Sequence, residues 1–177
     1  MKTEAFVSVD EYLKTSYEPD CDYVDGEVQE RNVGERDHSI LQREFIFFFR
    51  QRQGLWKTFV FPEQRVQIGA RRFRVPDVCV YVGAEPTEPI FRMPPFICIE
   101  ILSPEDRVER IQQRIDDYLN FGVHYVWVIN PRGRRAWTYS KEGSREIFDG
   151  FLRTQNPDFE IPLAEIFAAL DLPQGIE

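Results

Sequence analysis

Apolar residues along the chain follow two rhythms. Leu41, Phe45, Phe48 and Phe49 recur at helical spacing, which predicts a helix from about His38 to Arg52 with Gly54 as its stop. Thr58–Phe61, Arg65–Ile68, Phe73–Val82 and Phe96–Leu102 are rich in β-branched and aromatic residues, and proline or glycine separates most of them. These segments read as strands. The run Phe96-Ile97-Cys98-Ile99-Glu100-Ile101-Leu102 is nearly continuous apolar, as a central strand buried on both faces would be. Helical spacing returns at Val108, Ile111, Ile115 and Leu119, with Arg107, Arg110 and Arg114 as a basic stripe beside them and Gly122 as the stop.

Punctuation fills in the rest. Ser8-Val9-Asp10-Glu11 is a capping-box pattern for a short helix near Tyr12 and Leu13. Asp25-Gly26 predicts a tight hairpin within Tyr23–Val28. Ser103-Pro104-Glu105-Asp106 predicts a capped start for the basic helix, with Ser103 as the N-cap and Pro104 in the first helical position. His124–Ile129 is a further strand, Ala136–Ser140 and Arg145–Phe148 a second hairpin, and Leu163–Leu170 a terminal helix. The alternation of helices and strands predicts an α/β or α+β fold, a central mixed β-sheet flanked by helices, with an extra N-terminal hairpin. Residues 1–177 are expected to form a single domain.

Composition narrows this. With 177 residues, 42% hydrophobic and 29% charged, the chain can bury a core without staples. No apolar run approaches the ~18 residues of a membrane span. Met1-Lys2-Thr3-Glu4 leads into no signal-peptide core, and Cys79 and Cys98 sit in apolar runs without metal-ligand spacing. A cytoplasmic location with reduced cysteines is expected. The net charge of −8 excludes a generally basic protein that coats nucleic acid. Yet 18 of the 22 basic residues are arginines, the side chain suited to forked contacts with carboxylates and phosphates.

Two carboxylates occupy positions unsuited to surface charges. Asp77 follows Pro76 inside Arg74-Val75-Pro76-Asp77-Val78-Cys79-Val80, and Glu100 interrupts the apolar strand. A lone buried carboxylate costs several kcal/mol, of order ~3–5, unless it is paired, protonated or metal-bound. On neighbouring strands the two would converge at one edge of the sheet, where an oxygen pair suits Mg2+ or Mn2+.

Val75-Pro76-Asp77-Val78 and Ile99-Glu100-Ile101-Leu102-Ser103-Pro104, with Arg107 behind them, resemble the Uma-type restriction endonuclease family of the PD-(D/E)xK nuclease superfamily. Tyr118, Gly122-Val123, Trp127 and Asn130-Pro131 fit the same pattern, as do Asp25-Gly26-Glu27 and His38, and the likeness covers roughly residues 6 to 170. The resemblance implies a restriction-endonuclease-like core and a Mg2+- or Mn2+-dependent endonuclease acting on DNA. Asp77 and Glu100 would hold the metal with the backbone carbonyl of Ile101. The superfamily's lysine position after the glutamate is Leu102 here, and the displaced position on the following helix is Arg114. Arginine stays charged and cannot act as a base, but it can stabilise charge on a phosphate. Arg114→Lys is accordingly expected to raise cleavage. Arg107, His38, Glu27 and Glu63 are accessory candidates, and a homodimer would match two-strand cutting. The alternative is a catalytically degenerate nuclease fold used in binding or assembly; a hydrolase of another phosphoester is a third reading. Arg71, Arg72 and Arg74 are either phosphate contacts or a charged hairpin turn. Trp56, Trp127 and Trp137 are read as core or sheet-face residues, and His124 as structural.

Overall fold

The computed structural model describes residues 6–32 and 35–171; Met1 to Glu4, read above for a signal sequence, lie outside the described residues. The chain opens with α1 (Val9–Lys14), β1 (Asp22–Val24), β2 (Glu27–Gln29) and α2 (Arg36–Trp56). Strands β3 (Thr58–Pro62), β4 (Val66–Gly69), β5 (Arg72–Arg74), β6 (Val78–Val82) and β7 (Ile97–Ile101) follow. Then come α3 (Val108–Phe121), β8 (Tyr125–Asn130), β9 (Arg135–Ser140), β10 (Gly143–Glu146), β11 (Phe151–Arg153), β12 (Glu160–Pro162) and α4 (Leu163–Ala168), closed by a 3-10 turn, Ala169–Asp171.

Six strands form the central sheet in the order β10-β9-β8-β7-β6-β3. It is mixed: β7 and β8 run parallel and the other neighbours antiparallel. A parallel pair needs a crossover, and α3 is that connection. The expected mixed sheet with helical cover is therefore the fold of this chain. A second, antiparallel sheet of order β2-β1-β5-β4 carries the N-terminal hairpin, and β11 pairs with β12.

Period-two alternation separates two cores. Val78, Val80, Ile97, Ile99 and Trp127 face α2, packing with Leu41, Phe45 and Phe49. Cys79, Cys98, Val126 and Val128 face α3, packing with Ile111, Ile115 and Tyr118. Truncating a buried aromatic such as Phe49 to alanine would cost ~3–5 kcal/mol. The same alternation carries Glu100 to the α3 face with Cys98.

Four local expectations need correction. Phe73–Val82 is two strands in two sheets, because Pro76 has no N–H for a ladder and the Val75 N–H donates to Asp22 Oδ1 at 2.8 Å. The long helix passes through Gly54 and stops at Lys57, whose φ of 51° is left-handed. Ser103 does not cap α3: the helix begins at Val108 with Arg107 as N-cap and no side-chain cap bond. The Asp106 carboxylate instead accepts from the Ser103 N–H at 2.6 Å and closes a turn before the helix. The later start leaves Val108 as the first helical residue, 84% exposed, outside the buried stripe.

Candidate active site

Antiparallel pairing sets Val78 of β6 opposite Ile99 of β7, so one step outward Asp77 stands opposite Glu100. Both are almost wholly buried, at 4% and 1% exposure. Asp77 Oδ2 accepts from the Ile101 N–H at 2.7 Å and lies 3.2 Å from His38 Nε2 at the start of α2. Asp77 Oδ1 is bound by Arg31 Nη2. Glu100 Oε2 accepts from Arg114 Nη1 at 3.0 Å, and Glu100 Oε1 accepts from the Tyr118 hydroxyl at 2.6 Å. Arg114 and Tyr118 are one turn apart on α3 and so share a face.

The cluster extends into the small sheet. Arg114 Nε donates to Asp22 Oδ2 at 3.0 Å, and Arg74 Nη1 donates to the same oxygen at 2.9 Å. Arg74 also holds Asp117 through Nε and Nη2. The packing of the small sheet against α3 and the β6–β7 edge thus brings four buried carboxylates (Asp22, Asp77, Glu100, Asp117) against Arg31, Arg74 and Arg114.

The electrostatics of the two facing acids diverge. Burial works to raise Asp77, but the Arg31 charge and the His38 contact outweigh it and hold the carboxyl down at about 2. Burial dominates at Glu100; Arg114 offsets it in part, the Asp77 charge adds to it, and the group is pushed up to about 7. For His38, burial disfavours the cation, yet the hydrogen bond and charge of Asp77 prevail and its pKa is raised. Tyr118 is pushed up by burial and by Glu100.

The other expected residues are placed as follows. Glu63 lies at the rim, its carboxylate 3.8 Å from Arg31 Nη1. Arg107 is exposed and, with Arg110, Asn32 and the acids Glu30, Glu105 and Asp106, lines a cavity of about 240 Å3 that also touches Arg114. Neither Arg107 nor Arg110 makes a salt bridge among the described residues. Glu27 does not join the site: it is exposed on β2, the outer strand of the small sheet, and its carboxylate accepts from Gln29 Nε2 at 3.3 Å. Arg72 and Arg74 are taken up by Asp25, Asp22 and Asp117, which favours the charged-turn reading over phosphate contacts. Asp22 and Arg31 carry no sequence signal. One begins a three-residue strand and the other sits in a polar stretch, so neither interrupts an apolar pattern.

The donor set suits a hard dication. Mg2+ is commonly held by one or two carboxylates while water and substrate oxygens complete its shell. Glu100 is raised chiefly by burial, so its ionised form would be favoured by a further cation. Among the described residues no three His, Cys, Asp or Glu side chains are grouped to enclose an ion.

A family model described as "Uma2: Putative restriction endonuclease" matches residues 9–170. The chain belongs to the Uma2 family. Among solved structures, a "putative nuclease belonging to DUF820" from Anabaena variabilis ATCC 29413 matches this Uma2 member with a TM-score of 0.80 and 22% identity. The match covers 93% of this chain and 99% of the other. At that identity the likeness speaks for the fold. No curated protein matches the sequence. Among the described residues no helix is long and apolar enough to cross a membrane.

Proposed function

We propose that this Uma2 protein is a divalent-metal-dependent endonuclease that hydrolyses phosphodiester bonds of DNA. The observation that carries the reading is the facing pair Asp77 and Glu100 at adjacent strand ends, with Arg114, which holds Glu100, exposed to a cavity of mixed charge. The family description and the fold of the nuclease-titled neighbour support it. Asp77, Glu100 and the Ile101 carbonyl would hold Mg2+ or Mn2+. Such an ion polarises a phosphodiester and makes bound water more acidic.

This chain's own residues set the rest. The Ile101 N–H and His38 fix the Asp77 carboxylate, and Tyr118 fixes Glu100, so neither acid has to reorganise. Arg114, permanently charged, would stabilise negative charge on the phosphate. Arg107 and Arg110 at the cavity mouth suit flanking phosphates, which position nucleic acid without reading its sequence.

A second reading is favoured by one observation: arginines already hold both acids, and Leu102 stands at the usual lysine position. That arrangement suits a descendant that binds or assembles without cutting. The test is a plasmid-nicking assay with Mg2+ and with Mn2+ on wild type and Asp77→Ala. Cleavage that needs metal and disappears with Asp77→Ala is expected. Metal binding with no cleavage of any nucleic acid would favour the second reading.

A further inference from the structure

Three guanidiniums meet at the carboxylate cluster, those of Arg31 and Arg74 buried and that of Arg114 partly so, and they are not equivalent. Arg74 engages Nε, Nη1 and Nη2, on Asp117, Asp22 and Gln29. Arg114 spans Asp22 and Glu100. Arg31 is anchored through Nη2 alone, on Asp77 Oδ1. Its Nη1 is buried and has no hydrogen-bond partner among the described residues. The nearest acid, Glu63, stays 3.8 Å from it. A guanidinium binds best through two parallel N–H donors, and a buried donor left without an acceptor is costly. Arg74 shows what a purely structural buried arginine looks like in this protein. Arg31 departs from it by carrying unused capacity.

The oxygen it holds is also distinctive. Asp77 Oδ2 is committed to the Ile101 N–H and His38, whereas among the described residues Oδ1 has only Arg31. Oδ1 is therefore the oxygen open to another cation, and a cation that takes it must displace Nη2. Displacement would leave Arg31 with both terminal nitrogens free beside the site. Arg31 lies between β2 and α2 rather than inside a strand, and its neighbour Asn32 lines the cavity that reaches Arg114.

We propose that Arg31 is a substrate-binding arginine parked on Asp77: in the DNA-free protein it competes with the metal for Oδ1, and once displaced its fork binds non-bridging oxygens of the phosphodiester. The inference rests on the nuclease reading and adds a residue and an order of events to it. Carboxylate and phosphate oxygens are equivalent acceptors for a guanidinium fork, so the exchange conserves its hydrogen bonding. It also gives Nη1 an acceptor that it lacks among the described residues.

The experiment compares wild type, Arg31→Gln, Arg31→Lys and Asp77→Asn. Mn2+ binding to the DNA-free proteins is measured by calorimetry, and binding of a short fluorescein-labelled DNA duplex in Ca2+ by anisotropy. Arg31→Gln should bind Mn2+ about tenfold more tightly and the duplex about tenfold more weakly. Should that variant fail to fold, Arg31→Lys keeps the charge but not the fork. It should bind the duplex more weakly with Mn2+ affinity no lower than wild type. Weaker Mn2+ binding in either variant would overturn the proposal, because Arg31 would then be ordering Asp77 rather than competing for it. If wild type binds Mn2+ in a way that Asp77→Asn abolishes, yet neither Arg31 variant moves either affinity, the nuclease reading stands and this inference fails. If neither wild type nor the Arg31 variants bind Mn2+, both fail.

Discussion

Arg114 Nη1 donates to Glu100 Oε2 at 3.0 Å, and its Nε donates to Asp22 Oδ2 at the same distance. One guanidinium on α3 thereby ties the central strand of the large sheet to the first strand of the small one. Tyr118, one turn later, fixes the second oxygen of Glu100 at 2.6 Å. The glutamate is thus held in one orientation although burial still disfavours its charge. A rigid acid that still favours added positive charge is what a metal ligand requires before the metal arrives.

Arg74 is the structural counterpart. With all three guanidinium nitrogens engaged on Asp22, Asp117 and Gln29, its removal leaves two buried aspartates short of a partner. Arg74→Ala should cost ~3–5 kcal/mol in urea unfolding. A loss below ~1 kcal/mol, the range of an exposed pair, would show that water replaces the arginine.

The turn before α3 makes a paired prediction. Ser8 is a true N-cap: its hydroxyl accepts from the Glu11 N–H at 3.2 Å, so Ser8→Ala should cost about 1 kcal/mol. Ser103 offers its backbone, not its hydroxyl, to Asp106. Ser103→Ala should shift the melting temperature less than Asp106→Ala, which also loses the bond from Asn32 Nδ2 at 2.8 Å. The reverse order in thermal melts would restore Ser103 as the cap.

These contrasts show what was legible in the chain. Uninterrupted apolar runs and helical spacing located β7, β8, α2 and α3, because burial on one or both faces writes a period into the sequence. Glu100 was visible as a break in such a run, and Asp77 through its proline. Asp22, Arg31 and Asp117 were not, because their burial arises from the docking of the small sheet on α3 and the β6–β7 edge. No local period records that contact. The start of α3 was misplaced for a related reason: a serine, proline and acid in sequence serve a tight turn as readily as a helix cap.

Arg114 separates the fork from the charge. Lysine has one ammonium and cannot bridge Asp22 and Glu100 together, so Arg114→Lys should lower stability by ~1–2 kcal/mol and Arg114→Ala by ~3–5 kcal/mol. Cleavage should run in a different order. A lysine can hold a water and shift its pKa on burial, so at matched Mg2+ the lysine variant should exceed wild type by roughly tenfold. If lysine cleaves no better than alanine, Arg114 serves only as an ion-pair residue. If wild type already equals lysine, charge alone is sufficient.

In metal-free protein the facing acids should give stability a two-sided pH dependence. Asp77 is held below its ordinary 3.8, and Asp22 is lowered as well: burial opposes the shift, but Arg114 and Arg74 overcome it. For these groups the folded state binds protons less readily than the unfolded chain. Their contribution is present above the unfolded value and is lost as pH falls through the folded one. Glu100 has the opposite sign. Burial, with help from the Asp77 charge, raises it from 4.5 to about 7. Its contribution is therefore complete below 4.5 and disappears as pH rises through 7. Melting temperatures in EDTA, followed from about pH 3 to 9, should peak on the mildly acidic side and fall in both directions. Glu100→Gln, which cannot ionise, should remove the decline between about pH 5 and 7 and leave the acid limb in place. Adding Mg2+ to wild type should flatten the same decline, because the ion stabilises the ionised carboxylate that burial disfavours. An alkaline limb unchanged by both Glu100→Gln and Mg2+ would mean that Glu100 is ionised throughout, with Arg114, Arg31 and Tyr118 together meeting the cost of its burial.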